Sequence, residues 1–233
     1  MFYLFLLAHL VADFILQPYW LVVRKRRWDG LLLHGTIVLA CMLALPLADS
    51  AALGLWPAML AITGVHIVAD WWKVRFGSRI PGPPIGPFML DQVIHVTTLA
   101  VTLSLALPAE QVWTLAASPV ALLAIWAAAY VVAACATPIA VMIWLDPSAQ
   151  HAALAGPARR RSLLVGAGAV SLALIGGALA LPATLLGLLV AMRRRSMAAS
   201  GANLAAHPLE TPLGLLTVLC VAATLGVGLA MIH

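Results

Sequence analysis

The chain reads as an all-α, polytopic transmembrane helix bundle of about seven hydrophobic segments, and three observations predict it. Of its 233 residues 64% are hydrophobic, only 9% are charged, and the mean hydropathy is +1.04. A soluble domain carries about 25% charged residues, so a chain this poor in charge cannot cover its surface for water. The apolar runs also approach the roughly 20 residues that one helix needs to span a bilayer.

Seven such runs can be drawn, over about 2–23, 31–48, 54–73, 88–107, 117–145, 162–192 and 212–232. The first opens Met1-Phe-Tyr-Leu-Phe5 with no basic flank or small-residue cleavage site, and reads as a retained helix. The stretch from Ile80 to Pro87 is a turn-rich, proline-laden connector between the third and fourth runs. The sixth run is too long for one span and contains Gly176-Gly177 and Pro182. It is expected either to turn back near Pro182 as a re-entrant segment or to form one long kinked helix. Gly166 and Gly168 within it allow close helix packing. The whole chain is read as one membrane domain, with residues 1–107 carrying the polar site and 112–233 forming an apolar supporting half. Cys41, Cys135 and Cys220 lie singly in separate runs, as reduced structural cysteines do.

All 13 basic residues fall in four clusters: Arg24 to Arg27, Lys73/Arg75/Arg79, Arg159 to Arg161 and Arg193 to Arg195. Positive loops remain cytoplasmic, and the first three clusters agree on one orientation, with the N-terminus outside. These clusters flank spans, so topology and anionic lipid account for them and nucleic acid is not a partner.

Against this apolar background the polar residues are conspicuous. The first run contains His9-Leu-Val-Ala-Asp13-Phe-Ile-Leu-Gln17, the second opens at His34-Gly35, the third ends in His66-Ile-Val-Ala-Asp70-Trp-Trp-Lys73, and the fourth opens with Asp91-Gln92-Val-Ile-His95. Residues four apart share a helix face. Seven histidines and six aspartates placed at random give about 0.4 His/Asp pairs at that spacing; three occur. An aspartate at mid-membrane costs about 2.5–3.5 kcal/mol, so three of them require compensation. If the first run breaks near Gln17-Pro18, all four segments offer polar groups at one level in the cytoplasmic half of the membrane.

Imidazoles and carboxylates together suit one or two divalent metal ions, zinc first, iron or manganese next. His9, Asp13, His34, His66, Asp70, Asp91 and His95 are the candidate ligands, with Asp13, Asp70 and Asp91 also the candidate catalytic groups. Gln17, Lys73 and Gln92 are placed around them, to orient substrate or hold the ligands. A metal-dependent hydrolase of a lipid or amphipathic small molecule is the first expectation. A proton- or metal-coupled transporter uses the same residues. A non-catalytic membrane partner protein with a structural metal is the third reading. Membrane lipid is the expected surrounding partner, and a homo-oligomer is compatible with the pattern. His151, His207 and His233 are assigned to solvent.

The pattern His9-Leu-x-x-Asp13-Phe-x-Leu-Gln17, His34-Gly35, His66-x-x-x-Asp70-x-x-Lys73 and Asp91-Gln92-x-x-His95 resembles an uncharacterised family of small bacterial integral membrane proteins. That family is known as a domain of unknown function, often beside a SatD-like neighbour. The likeness is specific over residues 4–95. It is weaker over 156–232, where Gly156 and Glu210-x-x-x-Gly214 echo the family and Arg159-Arg160 stands where a Glu-Arg pair is usual. The resemblance implies these site residues and a bacterial inner-membrane location, and no activity.

Overall fold

The computed structural model describes residues 1–115, 119–146, 156–176 and 207–232, and among these every regular element is helical. Five helical stretches are long and apolar enough to cross a membrane: Trp28–Leu47, Ser50–Arg79, Ile85–Ala106, Val120–Leu145 and Pro212–Ala230. Two shorter apolar helices, Phe2–Ile15 and Ser162–Gly176, accompany them. The polytopic helical bundle read from composition is therefore the fold. The sixth run is described only as far as Gly176; Pro182, Arg193 to Arg195, His151 and His233 lie outside the described residues.

The chain forms two compact units, Met1–Ala128 and Ala129–His233. In the first, α1 (Phe2–Leu10) runs into a π-turn over Val11–Ile15 and ends there. Leu16–Pro18 is not helical, and α2 (Tyr19–Arg24) starts anew. Pro18 supplies no N–H to the preceding turn, and the wide turn closes instead through Leu16 N–H on Val11 O at 2.9 Å. The first run is thus a short helix and a break instead of a continuous span, and the break lies where Gln17-Pro18 predicts it.

A tight corner follows. Arg27 is extended, and α3 (Trp28–Leu43) packs so closely on the end of α2 that a Cβ on Gly30 would lie 2.2 Å from Arg24 O. Arg24 and Asp29 close the corner with a 2.8 Å ion pair. α4 (Trp56–Phe76) returns antiparallel to α3, and α5 (Ile85–Ala106) antiparallel to α4. Gly35 lies against the Ile67 side chain, where a Cβ would approach to 2.5 Å. That glycine lets α3 and α4 draw together beside His34 and His66.

The apolar core of this unit fills one half of the bundle. Phe5, Ala8, Val38, Met42, Met59, Ile62, Leu99 and Leu103 pack there, nearest the start of α1. The short helix α6 (Ala109–Trp113) adds Val112 to the same core. Because the four main helices alternate in direction, His9, His34, His66 and His95 all emerge in the opposite half, one layer beyond this core.

The second unit takes up the end of α7 (Pro119–Val131), a π-turn over Val132–Ala136, α8 (Thr137–Leu145), α9 (Gly156–Gly176) and α10 (Pro212–Ala230). Pro138 removes a backbone donor just after that turn, and Thr137 Oγ1 donates to Val132 O at 2.8 Å. Small residues set the packing. A Cβ on Gly166 would stand 2.6 Å from Ala133 O, and one on Gly226 would stand 2.5 Å from Ala173 Cβ. Among the described residues nothing lies within 4 Å of a Cβ on Gly168, so of the two glycines read as packing residues Gly166 is the one in close contact there. His207 is half-buried, and its Nδ1 accepts from Leu209 N–H at 3.3 Å, which makes it a helix cap instead of a solvent-borne side chain.

Candidate metal centre

Four helices each deliver polar atoms to one buried cluster. His9 leaves the last turn of α1, and Asp13 leaves the π-turn, which widens the helix by a residue and turns the carboxylate inward. His34 comes from the second turn of α3, His66, Asp70 and Lys73 from the last three turns of α4, and Asp91, Gln92 and His95 from the first half of α5. The four imidazoles and three carboxylates are all buried.

The centre of the cluster is a quartet of electron-rich atoms. His34 Nε2 lies 2.9 Å from His66 Nε2, 3.2 Å from Asp13 Oδ1 and 3.5 Å from Asp70 Oδ2. His66 Nε2 lies 3.6 Å from Asp13 Oδ1 and 3.4 Å from Asp70 Oδ2. Tetrahedral zinc with ligand bonds of about 2.0–2.2 Å has ligand–ligand edges of roughly 3.3–3.6 Å. The three separations among His34, His66 and Asp70, 2.9, 3.4 and 3.5 Å, come close to one face of such a site. His34 Nδ1, on the far side of its ring, has no hydrogen-bond partner.

Two more imidazoles stand beside the quartet. His9 stacks on His95 with centroids 5.1 Å apart, and His95 lies 4.0 Å from His66. His95 Nδ1–H donates to Asp91 O at 2.7 Å, which fixes its tautomer and leaves Nε2 as the bare acceptor. Both His95 Nε2 and His9 Nε2 are buried without a hydrogen-bond partner; the nearest carboxylate oxygen to the latter is Asp13 Oδ2, at 3.9 Å. Three groups have ligand atoms close enough to share an ion: His9/Asp13/His66, His34/His66/Asp70 and Asp70/Asp91/His95. The buried His and Asp side chains can hold a metal.

Two lysines border the carboxylates. Lys73 Nζ donates to Asp91 Oδ2 at 2.6 Å and lies 3.4 Å from Asp70 Oδ1. Its side chain is 26% exposed, whereas the carboxylates it meets are 1% exposed, so it marks the cluster's open side. Gln92 donates to Asp91 Oδ2 at 3.1 Å. The second cation is Lys25, which the sequence hides among arginines. It is only 3% exposed and donates to Asp70 Oδ2 at 2.6 Å. Spacing pairs Asp70 with Lys73, but the shorter contact of Asp70 is to Lys25, and that of Lys73 is to Asp91. Gln17, half-buried in the break before α2, makes no hydrogen bond to the cluster among the described residues.

Every residue of the cluster lies between His9 and His95, within the first compact unit, and the family model that matches this chain covers the same ground: residues 1–124. The chain belongs to the family described as Protein of unknown function (DUF3307). The His/Asp motifs all lie within the matched residues. No curated protein and no solved structure matches the chain.

Proposed function

We propose that this protein is a membrane-embedded, single-ion metal hydrolase acting on a lipid or other amphipathic substrate. The observation that carries the reading is the buried His34/His66/Asp70 group, whose three ligand atoms lie 2.9–3.5 Å apart, a set of three that leaves a fourth zinc position to water, with Asp13 Oδ1 3.2 Å from His34 Nε2 beside it. Two imidazole nitrogens and a carboxylate oxygen suit zinc first, with iron or manganese on the same donors. Charge supports one ion over two. Asp13, Asp70 and Asp91 against Lys25 and Lys73 leave a net charge of −1 with neutral imidazoles. One divalent ion with a bound hydroxide brings the buried cluster to neutrality, whereas two ions leave a large uncompensated positive charge.

A bound ion would supply a water of lowered pKa for attack on an ester or phosphoester. The chain's own groups surround that chemistry. The Nε2 atoms of His9 and His95, unpartnered among the described residues, are placed to exchange a proton, with that of His95 the bare acceptor. Lys73, at the open side, is placed to meet an anionic portion of the substrate while Gln92 holds Asp91. The exposed arginines Arg24, Arg26, Arg27, Arg75 and Arg79 lie at this end of the helices. The positive-inside rule then sets the site in the cytoplasmic half of a bacterial inner membrane, with the N-terminus outside.

The runner-up is a proton- or metal-coupled transporter, favoured by the continuous contact of His34, His66, His95 and His9, with ring centroids 4.0–5.5 Å apart. Elemental analysis of the full chain purified in detergent separates these readings. About one equivalent of metal, lost in His66→Ala and Asp70→Ala, supports the metal site. Folded wild-type protein free of metal overturns it and leaves the proton relay. Cobalt substitution then distinguishes an enzyme from a structural metal: a visible spectrum that shifts on adding azide reports an open coordination position, and an unmoved one reports a closed site.

A further inference from the structure

Lys25 is the one buried charge of the cluster for which the proposed chemistry has no use. Its three arginine neighbours are exposed, as a membrane-flanking basic run should be, yet its own side chain turns inward. The corner at Gly30 aims it there, because α3 can press on the Arg24 carbonyl only where no Cβ intervenes. Its ammonium sits 2.6 Å from Asp70 Oδ2, the same oxygen that faces His34 Nε2 at 3.5 Å and His66 Nε2 at 3.4 Å. An ion held by His34, His66 and Asp70 must share Asp70 Oδ2 with a fixed positive charge.

We infer that Lys25 is the selectivity element of the metal site, a tethered cation competing for Asp70 Oδ2 so that only an ion with strong affinity for imidazole is retained. The inference rests on the metal reading of the same cluster. Magnesium and calcium draw their binding from carboxylate and other oxygens, and magnesium gives up its waters reluctantly. For such an ion the Lys25–Asp70 pair is pure opposition. Zinc and its neighbours gain two imidazole nitrogens, His34 Nε2 and His66 Nε2, on which Lys25 has no claim. Lys25 therefore weakens binding of every divalent ion, while shifting what remains onto nitrogen.

The test uses the full-length protein in detergent, stripped of metal and titrated calorimetrically with zinc, manganese and magnesium. Lys25→Gln keeps a hydrogen-bond donor near Asp70 and removes the charge; Lys25→Arg keeps the charge. Loss of a positive charge a few ångströms from the ion should tighten manganese and magnesium binding by about tenfold or more. The gain for zinc should be smaller, so the preference for zinc over magnesium falls. Lys25→Arg should keep the wild-type preference. A folded Lys25→Gln protein with an unchanged or greater zinc preference overturns the inference, as does weaker binding of all three ions. Wild-type protein that binds no zinc fails differently, by removing the metal reading itself. Should Lys25→Gln not fold, wild-type protein still decides the matter. Amine labelling of Lys25, read by mass spectrometry, should rise several-fold with zinc and stay flat with magnesium; equal labelling under both ions overturns the inference.

Discussion

Breaking the Lys25–Asp70 pair from either side should cost different amounts, and removing both partners should cost least. In Asp70→Leu the Lys25 ammonium stays buried at 3% exposure and loses its 2.6 Å acceptor. Stranding one partner of a buried pair costs about 3–5 kcal/mol. Lys25→Met is milder, because Asp70 keeps Lys73 at 3.4 Å and His66 at 3.4 Å. About 1–3 kcal/mol is expected there, the cost of an under-satisfied buried acceptor. The double variant Lys25→Met/Asp70→Leu exchanges an ion pair for apolar side chains of similar volume, a change that is often neutral. Its cost should fall below that of Asp70→Leu alone, giving a coupling energy of about 2 kcal/mol or more, within the range for residues in direct contact. The assay is equilibrium unfolding in mixed micelles with a chelator present, so that only protein contacts are compared. A double variant as unstable as the sum of the two single ones would refute the reasoning, since the two charges would then be acting independently.

The remaining predictions concern glycines. Gly166→Ala should destabilise the protein by about 1–3 kcal/mol, because a Cβ there meets Ala133 O at 2.6 Å, and a backbone atom cannot rotate away. Gly168→Ala, two residues along the same helix, meets nothing within 4 Å among the described residues and should gain roughly 0.5–1 kcal/mol, the usual helix preference for alanine. Thermal unfolding of the two variants side by side checks both signs. Gly30→Ala forces the α2–α3 corner open against a 2.2 Å approach to Arg24 O and should cost about 3 kcal/mol or more. If the corner is what aims Lys25, adding Lys25→Met to Gly30→Ala should cost little further; full additivity in the same unfolding assay would show the corner and the ion pair to be separate.

What could be read from the sequence divides along a physical line. A carboxylate in an apolar run is expensive, so Asp13, Asp70 and Asp91 stand out wherever they fall, and the histidines four residues away follow. Proline leaves a mark too, and the break at Gln17-Pro18 was visible for that reason. The π-turn at Val11–Ile15 was not, because one extra residue per turn leaves no trace in composition or hydropathy. Its effect is nevertheless large, since it lets Asp13 meet His34 and His66 from a helix that ends two residues later. Lys25 was hidden for the opposite reason: a lysine among arginines beside a span already has an explanation, so nothing in the pattern asks for a second one. Gln17 shows the converse. Its place on the His9–Asp13 stripe assumed a continuous α-helix, and the same break that brings Asp13 to the cluster takes the stripe away before it reaches Gln17.

The placement of Lys25 also bears on how many ions the cluster can accept. Without it, three carboxylates and four imidazoles suit a two-ion site, and the sequence permits one or two. With Lys25 and Lys73 both in contact with carboxylates, the positive charge available to a second ion is already supplied by the chain. The Asp70/Asp91/His95 group shows this in detail. Its ligand atoms are close enough for an ion, but Lys73 Nζ lies 2.6 Å from Asp91 Oδ2 and 3.4 Å from Asp70 Oδ1, where a second metal would draw its oxygens. A lysine that bridges two carboxylates does the electrostatic work of a metal without its Lewis acidity. The chain thus combines one centre suited to an ion with a neighbouring centre held by an ammonium.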